Sequence, residues 1–501
     1  MKFTIPAEVL TVSAALRQAG YESYLVGGCV RDLLLGQVPK DWDIATNAKP
    51  EEVQRLFNDT VYENEFGTVA VKQDSNDPRL KVIEVTTFRR EGKYTDKRHP
   101  DEIAYAKTIE EDLSRRDFTI NAMAAEILSS QSERLGAHYL SNMQRLRLVD
   151  PYGGQKDLRA KLIRTVGIPD ERFDEDALRL IRAVRFAVEL DFQIDGETRR
   201  AVEQHAGLLA VIAKERIRDE FEKILMTPRA AEGVMLLEEL HLLPYIVPEL
   251  LEGIGVEQNL HHIYTVFEHN VRALGYAARR GYSLEIRLAS LFHDIGKPRT
   301  KRGEGRNCTF YGHEVVGAKM TLRALERLKF PTEVIKKVTH LVRYHMFYYN
   351  VGEVSAAGVR RFLARVGPEH VDDLLKVREA DRIGSGAPKA VPYKTRHLLF
   401  MIEKVKHDPI SPKMLAVRGD DVMRIAGIPP GPKVGQILAI LLEEVLDDPG
   451  KNDFEKLKLR IEALGKMTDK ELEKLAFRAR EKKEEFESGI EREIKKKYRV
   501  V

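Results

Sequence analysis

A chain of 501 residues exceeds one ordinary domain and predicts about three or four, at roughly 100–200 residues each. Its 82 basic and 78 acidic side chains leave a formal charge of +4, too near balance to name a partner, while a hydrophobic content of 43% is ample for packed cores. Cys29 and Cys308, the only cysteines, exclude a disulfide framework or thiolate zinc site, and neither a signal-peptide pattern at MKFTIPAEVL nor an apolar run of spanning length is present, so a cytoplasmic protein with no membrane partner is expected.

In chain order, AEVLTVSAALRQAG has helical spacing and ends in glycine. SYLVGG reads as a short buried strand, CVRDLLLG as a helix stopped by Gly36, and DWDIAT, TVAVKQ and KVIEVTTF as three further strands. From about Asp150 the strand signals fade. EDALRLIRAVRFAVEL, ETRRAVEQHAGLLAVI and KERIRDEFEKIL are amphipathic helices. After PYIVPELLEGIG the sequence stays helical and becomes rich in histidine, through about Gly386. SGAPKAVPYKTRH marks a boundary. A last helical region from about His397 contains the turn GIPPGPKVG and ends in the charged helix KELEKLAFRAREKKEEFESGIEREIKKKYRV.

SYLVGGCVRDLLLGQVPKDWDIAT carries the first chemistry. On a strand, positions i and i+2 share a face, so Asp41 and Asp43 project together and Trp42 points away. Two adjacent carboxylates repel unless a cation lies between them, and Mg2+ suits a few carboxylates plus substrate phosphates. A lone D-x-D more often caps a turn. Here Gly27 and Gly28 would let backbone approach a phosphate, a helix starting near Cys29 or Val30 would aim N–H groups at it, and Arg31 could add a bidentate contact. Together these point to nucleoside triphosphate chemistry at Asp41 and Asp43. Glu84 is a candidate third carboxylate on a neighbouring strand, more readily explained as structural.

GGCVRDLLLG with DWD resembles the signature of the class II tRNA nucleotidyltransferases, the CCA-adding enzymes and bacterial poly(A) polymerases. TTFRREGKYTDKRHPDEIAYAKTIEEDLSRRDFTINAMA is similar to that family's flexible loop followed by its ribose-binding motif. The resemblance spans most of residues 20–225. It implies an α+β fold: an N-terminal nucleotidyltransferase (polymerase beta-like) mixed sheet with helices, followed by all-helical neck, HD and C-terminal domains. The division expected is a catalytic head at 1–150, a base-selecting neck at 151–228, an HD domain at 229–390 and a C-terminal tRNA-binding or tail domain at 391–501. It further implies template-independent addition of CCA, or at least the terminal A, to tRNA from CTP and ATP with Mg2+. Poly(A) or A-only addition is the alternative within the same chemistry.

Within RRDFTINAMA, Arg116 can hold phosphate while Asp117 and Asn121 bond ribose hydroxyls. RFDEDALRLIRAVRF contains the family's E-D-x-x-R element as Glu175, Asp176 and Arg179. On a helix, Asp176 and Arg179 would share a face. The aspartate accepts from the exocyclic amine of C or A, the arginine donates to ring acceptors, and G and U leave donors unpaired. Glu175 would orient Arg179, and Arg182 and Arg185 would face RNA or phosphate. An ordinary surface Asp–Arg pair is the plainer reading without the flanking motifs. Enzymes of the family that add only CC lack the charged part of the flexible loop, so its presence suggests terminal A addition.

HDIGKP resembles the HD phosphohydrolase superfamily. That resemblance implies a metal site of His269, His293, Asp294 and Asp381 taking Mn2+, Ni2+ or another divalent ion, and metal-dependent phosphohydrolase activity. His313, His340 and His345 could serve a second metal or contact a phosphate. The alternative is an inert HD domain serving as an RNA-binding body, or conversely a phosphohydrolase whose head only binds RNA. Basic clusters at Arg89, Arg90, Lys93, Lys97 and Arg98, at Arg159, Lys161 and Arg164, and at Lys214, Arg216 and Arg218 could track a phosphate backbone.

Overall fold

The computed structural model describes residues 2–62, 67–91, 103–128, 143–259, 263–347, 349–406 and 415–500. Lys93, Lys97 and Arg98 of the charged loop lie outside them. Two compact units form, Met1–His345 with Asp373–Pro388, and Met346–Asp372 with Lys389–Val501. The fold is of the expected α+β kind, a mixed sheet with helices as far as Val149 and mostly helix beyond.

The first strands are β1 (Lys2–Thr4), β2 (Tyr24–Val26), β3 (Asp43–Thr46), β4 (Thr60–Tyr62), β5 (Thr68–Lys72), β6 (Val82–Thr87), β7 (Arg89–Glu91), β8 (Ile103–Tyr105), β9 (Ala124–Leu128) and β10 (Met143–Val149). Eight of them make one sheet in the order β1-β10-β9-β2-β3-β6-β5-β4, and β7 pairs with β8 alone. Strand β3 is central, antiparallel to β2 and parallel to β6. Its register sets Asp43 opposite Glu84. In β6, Ile83, Val85 and Thr87 are buried and alternate with outward residues, the period-2 pattern its sequence carries. Several unforeseen strands, such as β1 and β4, are three residues long, too short for an alternation to register.

Helix α1 (Ala7–Gln18) buries Val9, Leu10, Val12 and Leu16 on one side. Helix α2 (Gly28–Leu34) begins one or two residues earlier than expected and is followed by Gly36 at φ 71°, the left-handed turn that a glycine there accommodates. Next come α3 (Pro50–Leu56), α4 (Ile109–Ser114), α5 (Gly154–Ala160), α6 (Pro169–Glu175), α7 (Leu178–Leu190), α8 (Gly196–His205) and α9 (Lys214–Met226). The expected helix over EDALRLIRAVRFAVEL is interrupted. Asp176 is extended, at φ −140° and ψ 102°, and its Oδ1 accepts the Leu178 amide at 3.1 Å. A short side-chain acceptor that captures the start of the next helix competes with continuing the previous one. Asp176 and Arg179 are therefore not an i, i+3 pair on one continuous helix.

The histidine-rich part folds as α10 (Ala230–Glu239), α11 (Val266–Arg279), α12 (Leu284–Phe292), α13 (Lys297–Thr300), α14 (His313–Arg327) and α15 (Thr332–Tyr344). Buried Arg287 on α12 donates to the Leu225 and Thr227 carbonyls at the end of α9, at 2.7 and 3.0 Å, and to Tyr282 O at 2.8 Å. It ties the histidine-bearing helices to the end of α9. Arg287→Ala strands those carbonyls and should lower stability by about 2–4 kcal/mol, read from chemical denaturation. In the second unit lies α16 (Ala356–Val366). The next helix, α17 (Val371–Gly384), returns to the first unit from Asp373 onward. Helices α18 (Tyr393–Lys406), α19 (Gly419–Ala426), α20 (Pro432–Asp447), α21 (Phe454–Gly465) and α22 (Asp469–Tyr498) complete the second unit, with Gly427 left-handed at φ 65° at the expected turn. No helix among the described residues is long and apolar enough to cross a membrane.

Candidate active site

One cleft of about 1110 Å³ in the first unit collects residues from the sheet, α2, the loop after α4, Asp176, α7 and α9. Gly28, Arg31, Asp41, Asp43, Arg116, Asp117, Asn121, Asp176, Arg179, Arg182 and Arg185 all line it. Glu175 stands behind them.

Asp43 opens strand β3, whereas Asp41 lies in the bend before it, so the shared face is made by a strand end and its approach. Trp42 is buried on the other side. Both carboxylates reach the glycine turn. A Cβ on Gly28 would sit 3.8 Å from Asp41 Oδ1, and one on Gly27 would sit 3.9 Å from Asp43 Oδ2 and 2.7 Å from Arg116 Nη1. Gly27 has φ 72°, so absence of a side chain serves both the turn and the close approach of the arginine. Burial, then Asp41 and then Glu84 push the Asp43 carboxyl up to about 7, with Arg116 opposing them. Such an anionic pair suits a hard divalent cation.

The shift has a testable sign. In the metal-free fold, ionising Asp43 costs stability as pH rises from the ordinary carboxylate range towards 7. A bound cation relieves that cost and competes with the proton. Mg2+ should therefore raise the melting temperature more at about pH 8 than at about pH 6, and Asp43→Asn should remove the difference. Differential scanning fluorimetry at the two pH values checks it.

Arg31 is buried, with Nε and Nη2 donating to Asp32 Oδ1 at 2.9 and 2.7 Å and Nη1 to Asn121 Oδ1 at 2.8 Å. Its guanidinium braces Asn121 instead of standing open. Asp117 accepts from Arg182 Nε and Nη2 at 2.8 and 2.5 Å and from Asn121 Nδ2 at 3.4 Å. Burial pushes Asp117 up, but Arg182, Arg179 and the Phe118 amide outweigh it and bring the carboxyl down to about 2. Arg179 Nη1 donates to Glu175 Oε2 at 2.6 Å and to Arg172 O at 3.1 Å, and Nη2 to Arg115 O at 3.0 Å. Asp176 Oδ2 accepts from Arg216 Nη2 at 2.8 Å. Arg185 donates to Glu220 and Glu189 and packs 3.9 Å from the Phe186 ring centre.

Sequence reasoning passed over Asp32, Lys40, Asp112, Glu189 and Glu220. Asp112 was findable, since Arg115 and Arg116 follow it at i+3 and i+4. Glu220 was not, because its partner Arg185 is 35 residues away.

A second cluster is fully buried within the same unit. His269 Nε2 lies 2.8 Å from His293 Nε2, 3.1 Å from Asp294 Oδ2 and 3.4 Å from Asp381 Oδ1. Asp294 Oδ1 faces His313 Nε2 at 3.2 Å and His345 Nε2 at 3.6 Å. Two donor groups with metal-ligand spacing result, His269, His293 and Asp381, and Asp294, His313 and His345. His293, His313 and His345 each donate Nδ1–H to a backbone carbonyl, of Ser290, Phe310 and Val342, at 2.7–2.8 Å. That choice of tautomer leaves the Nε2 lone pairs for a cation. Lys297 Nζ sits 2.6 Å from Asp294 Oδ2. Burial raises the Asp294 carboxyl, but Lys297 and the histidines outweigh it and hold it well below its ordinary value. His340 is in neither group. Its ring packs 4.7 Å from Tyr344, because five residues of helix rotate it away from the face that carries His345.

An anionic pair opposite a wall of arginines, presented by a mixed sheet, places the chain among the nucleotidyltransferases. The Poly A polymerase head domain family matches residues 23–164, the family described as "Probable RNA and SrmB- binding site of polymerase A" matches residues 191–253, and the HD domain family matches residues 266–383. The chain is 35% identical over 433 residues to the A-adding tRNA nucleotidyltransferase of Deinococcus radiodurans, covering 84% of this chain and 90% of that protein. It is 34% identical over 451 residues to the CCA-adding enzyme of Geobacillus sp. (strain WCH70), covering 90% and 95%. Among solved structures it is similar to the Bacillus stearothermophilus CCA-adding enzyme in complex with CTP, at 30% identity and a TM-score of 0.57, covering 91% and 96% of the two chains. The chain belongs to the class II tRNA nucleotidyltransferase family, with a poly(A) polymerase head and an HD domain.

Proposed function

We propose that the protein adds C and A to the 3′ end of tRNA from CTP and ATP, without a nucleic-acid template. The observation that carries this reading is a single cleft uniting Asp41 and Asp43 with Arg116, Asp117, Asn121, Asp176 and Arg179. The carboxylate pair fits Mg2+, which when bound supplies charge neutralisation between attacking and leaving oxygens. Arg116 meets the triphosphate. Asp117 and Asn121 meet the ribose, preorganised by Arg182 and Arg31. Asp176 and Arg179 read the base edge, Arg179 held by Glu175 and two backbone carbonyls. The tRNA 3′-hydroxyl gives its proton to water as its oxygen bonds to the α-phosphorus, the bond to the β,γ-diphosphate breaks, and pyrophosphate leaves with the displaced charge facing the arginine wall. Residues 1–150 form the head, 151–228 the neck, 229–390 the HD domain and 391–501 a tRNA-contacting C-terminal domain.

Incorporation of labelled CTP and ATP into tRNAs ending before CCA, after CC and complete tests the reading. Addition of C to the first substrate and A to the second is expected. Addition of A alone favours the second reading, an A-only enzyme, which the 35% identity to an A-adding relative supports. No addition to any of the three overturns both.

A second activity resides in the HD domain. Two divalent ions such as Mn2+ or Ni2+ would be held by His269, His293 and Asp381 and by Asp294, His313 and His345. When bound they supply charge for phosphate-ester hydrolysis. Turnover of 2′,3′-cyclic nucleotides that depends on added metal is expected, and its absence with every metal tried overturns this part.

A further inference from the structure

The two metal-seat carboxylates have a competitor. Arg116 flanks the same glycine as Asp43, with Nη1 2.7 Å and Asp43 Oδ2 3.9 Å from where a Cβ on Gly27 would stand. A guanidinium so close to a carboxylate pair would ordinarily close on it as a bidentate ion pair and occupy the place of a cation. Arg116 is turned elsewhere: its Nη2 donates to Asp112 Oδ2 at 3.3 Å. Its Nε is buried with no hydrogen-bond partner among the described residues, so the side chain is only partly satisfied where it is held.

Asp112 is built for restraint. It lies on α4 with its side chain 1% exposed, and it does not line the cleft. Oδ1 accepts from Arg115 Nε at 3.0 Å, Arg115 Nη2 at 2.9 Å and the Arg89 amide at 3.3 Å. Oδ2 is left for Arg116. One buried anion therefore holds two neighbouring cleft arginines, whose charges would otherwise repel.

We infer that Asp112 is a positioning residue that keeps the Arg116 guanidinium off Asp43, leaving the carboxylate pair open for a divalent ion and Arg116 aimed at the triphosphate. This rests on the reading of Asp41 and Asp43 as the metal seat. Without Asp112, Arg116 swings onto Asp43 and excludes the cation, so the loss is caused by the arginine that remains.

Mn2+ binding, followed by electron paramagnetic resonance without nucleotide, tests this on the full chain. The head contribution is defined as the part removed by Asp43→Asn, which sets aside ions bound at the HD centre. Asp112→Ala should weaken that contribution about tenfold, Asp112→Glu should weaken it less, and the double variant Asp112→Ala/Arg116→Ala should regain wild-type Mn2+ affinity. Unchanged binding in Asp112→Ala overturns the inference. So does a double variant as weak as the single one, since the defect would then be loss of local structure and not a freed arginine. If Asp43→Asn removes no Mn2+, the metal-seat reading itself is wrong and the inference goes with it. That result is distinguishable because it appears before any change at Asp112.

Discussion

Asp43→Ala should reduce CTP and ATP incorporation by about a thousandfold or more, the scale expected when a metal that neutralises transition-state charge loses a ligand. The same substitution should leave the fold intact or firmer. Asp43 is half-buried beside Asp41 and across from Glu84, and its carboxyl is pushed up to about 7. A group in that position is unfavourable in the metal-free fold, so alanine removes a liability along with the function. Thermal melts without metal should show Asp43→Ala at or above wild type, and the hydrolysis proposed for the HD domain should be unaffected. Glu84→Gln is the control. Glu84 is exposed and does not line the cleft, so its substitution should cost far less activity than Asp43→Ala. A variant of Asp43 that still added nucleotides at the wild-type rate would remove the catalytic role of the pair.

Asp294→Ala should behave in the opposite way towards stability. Asp294 touches three of the four clustered histidines within 3.3 Å and pairs with the Lys297 ammonium at 2.6 Å. Lys297 is itself buried, with Gln258 Oε1 as its other partner at 2.6 Å. Removing the carboxylate leaves a buried cation without its counter-charge, a loss of about 3–5 kcal/mol. Bound metal should be lost with it, since Asp294 belongs to one donor group and lies 3.1 Å from His269 of the other. His313→Ala touches one group only, so if both groups hold metal as proposed, elemental analysis should show about half of it removed. At a temperature where Asp294→Ala remains folded, CTP incorporation should persist while cyclic-nucleotide hydrolysis is lost. Persistence of hydrolysis would show that the histidine cluster is structural. The contrast between the two aspartates, one expendable for folding and one essential to it, follows from their neighbours: other acids around half-buried Asp43, a lysine and histidines around buried Asp294.

Much of the head and the HD cluster is legible in the chain because the relevant groups are close in sequence or carried by distinctive words. Asp41 and Asp43 are two residues apart, Gly27 and Gly28 are adjacent, and His293 and Asp294 sit together in HDIGKP. Periodicity located strands β3, β5 and β6, whose alternation reflects one buried face. It also located α9, whose apolar residues recur at helical spacing. The resemblance to the nucleotidyltransferases rests on GGCVRDLLLG with DWD and on the stretch ending RRDFTINAMA, and that to the HD superfamily on HDIGKP.

Other features depend on distance in space. That Arg31 braces Asn121, that Arg182 neutralises Asp117, and that Glu220 holds Arg185 are pairings across 90, 65 and 35 residues, and local spacing carries no trace of them. The break at Asp176 is a contest between helix propagation and side-chain capping, which differ by too little for a pattern to decide. Which of His313, His340 and His345 joins the metal cluster is set by helix phase and by the packing of α14 against α15. Sequence alone therefore determined the chemistry on offer, its residue types and its local faces. Tertiary structure decided which charges meet, because the energy of a charge depends on what surrounds it once water is excluded.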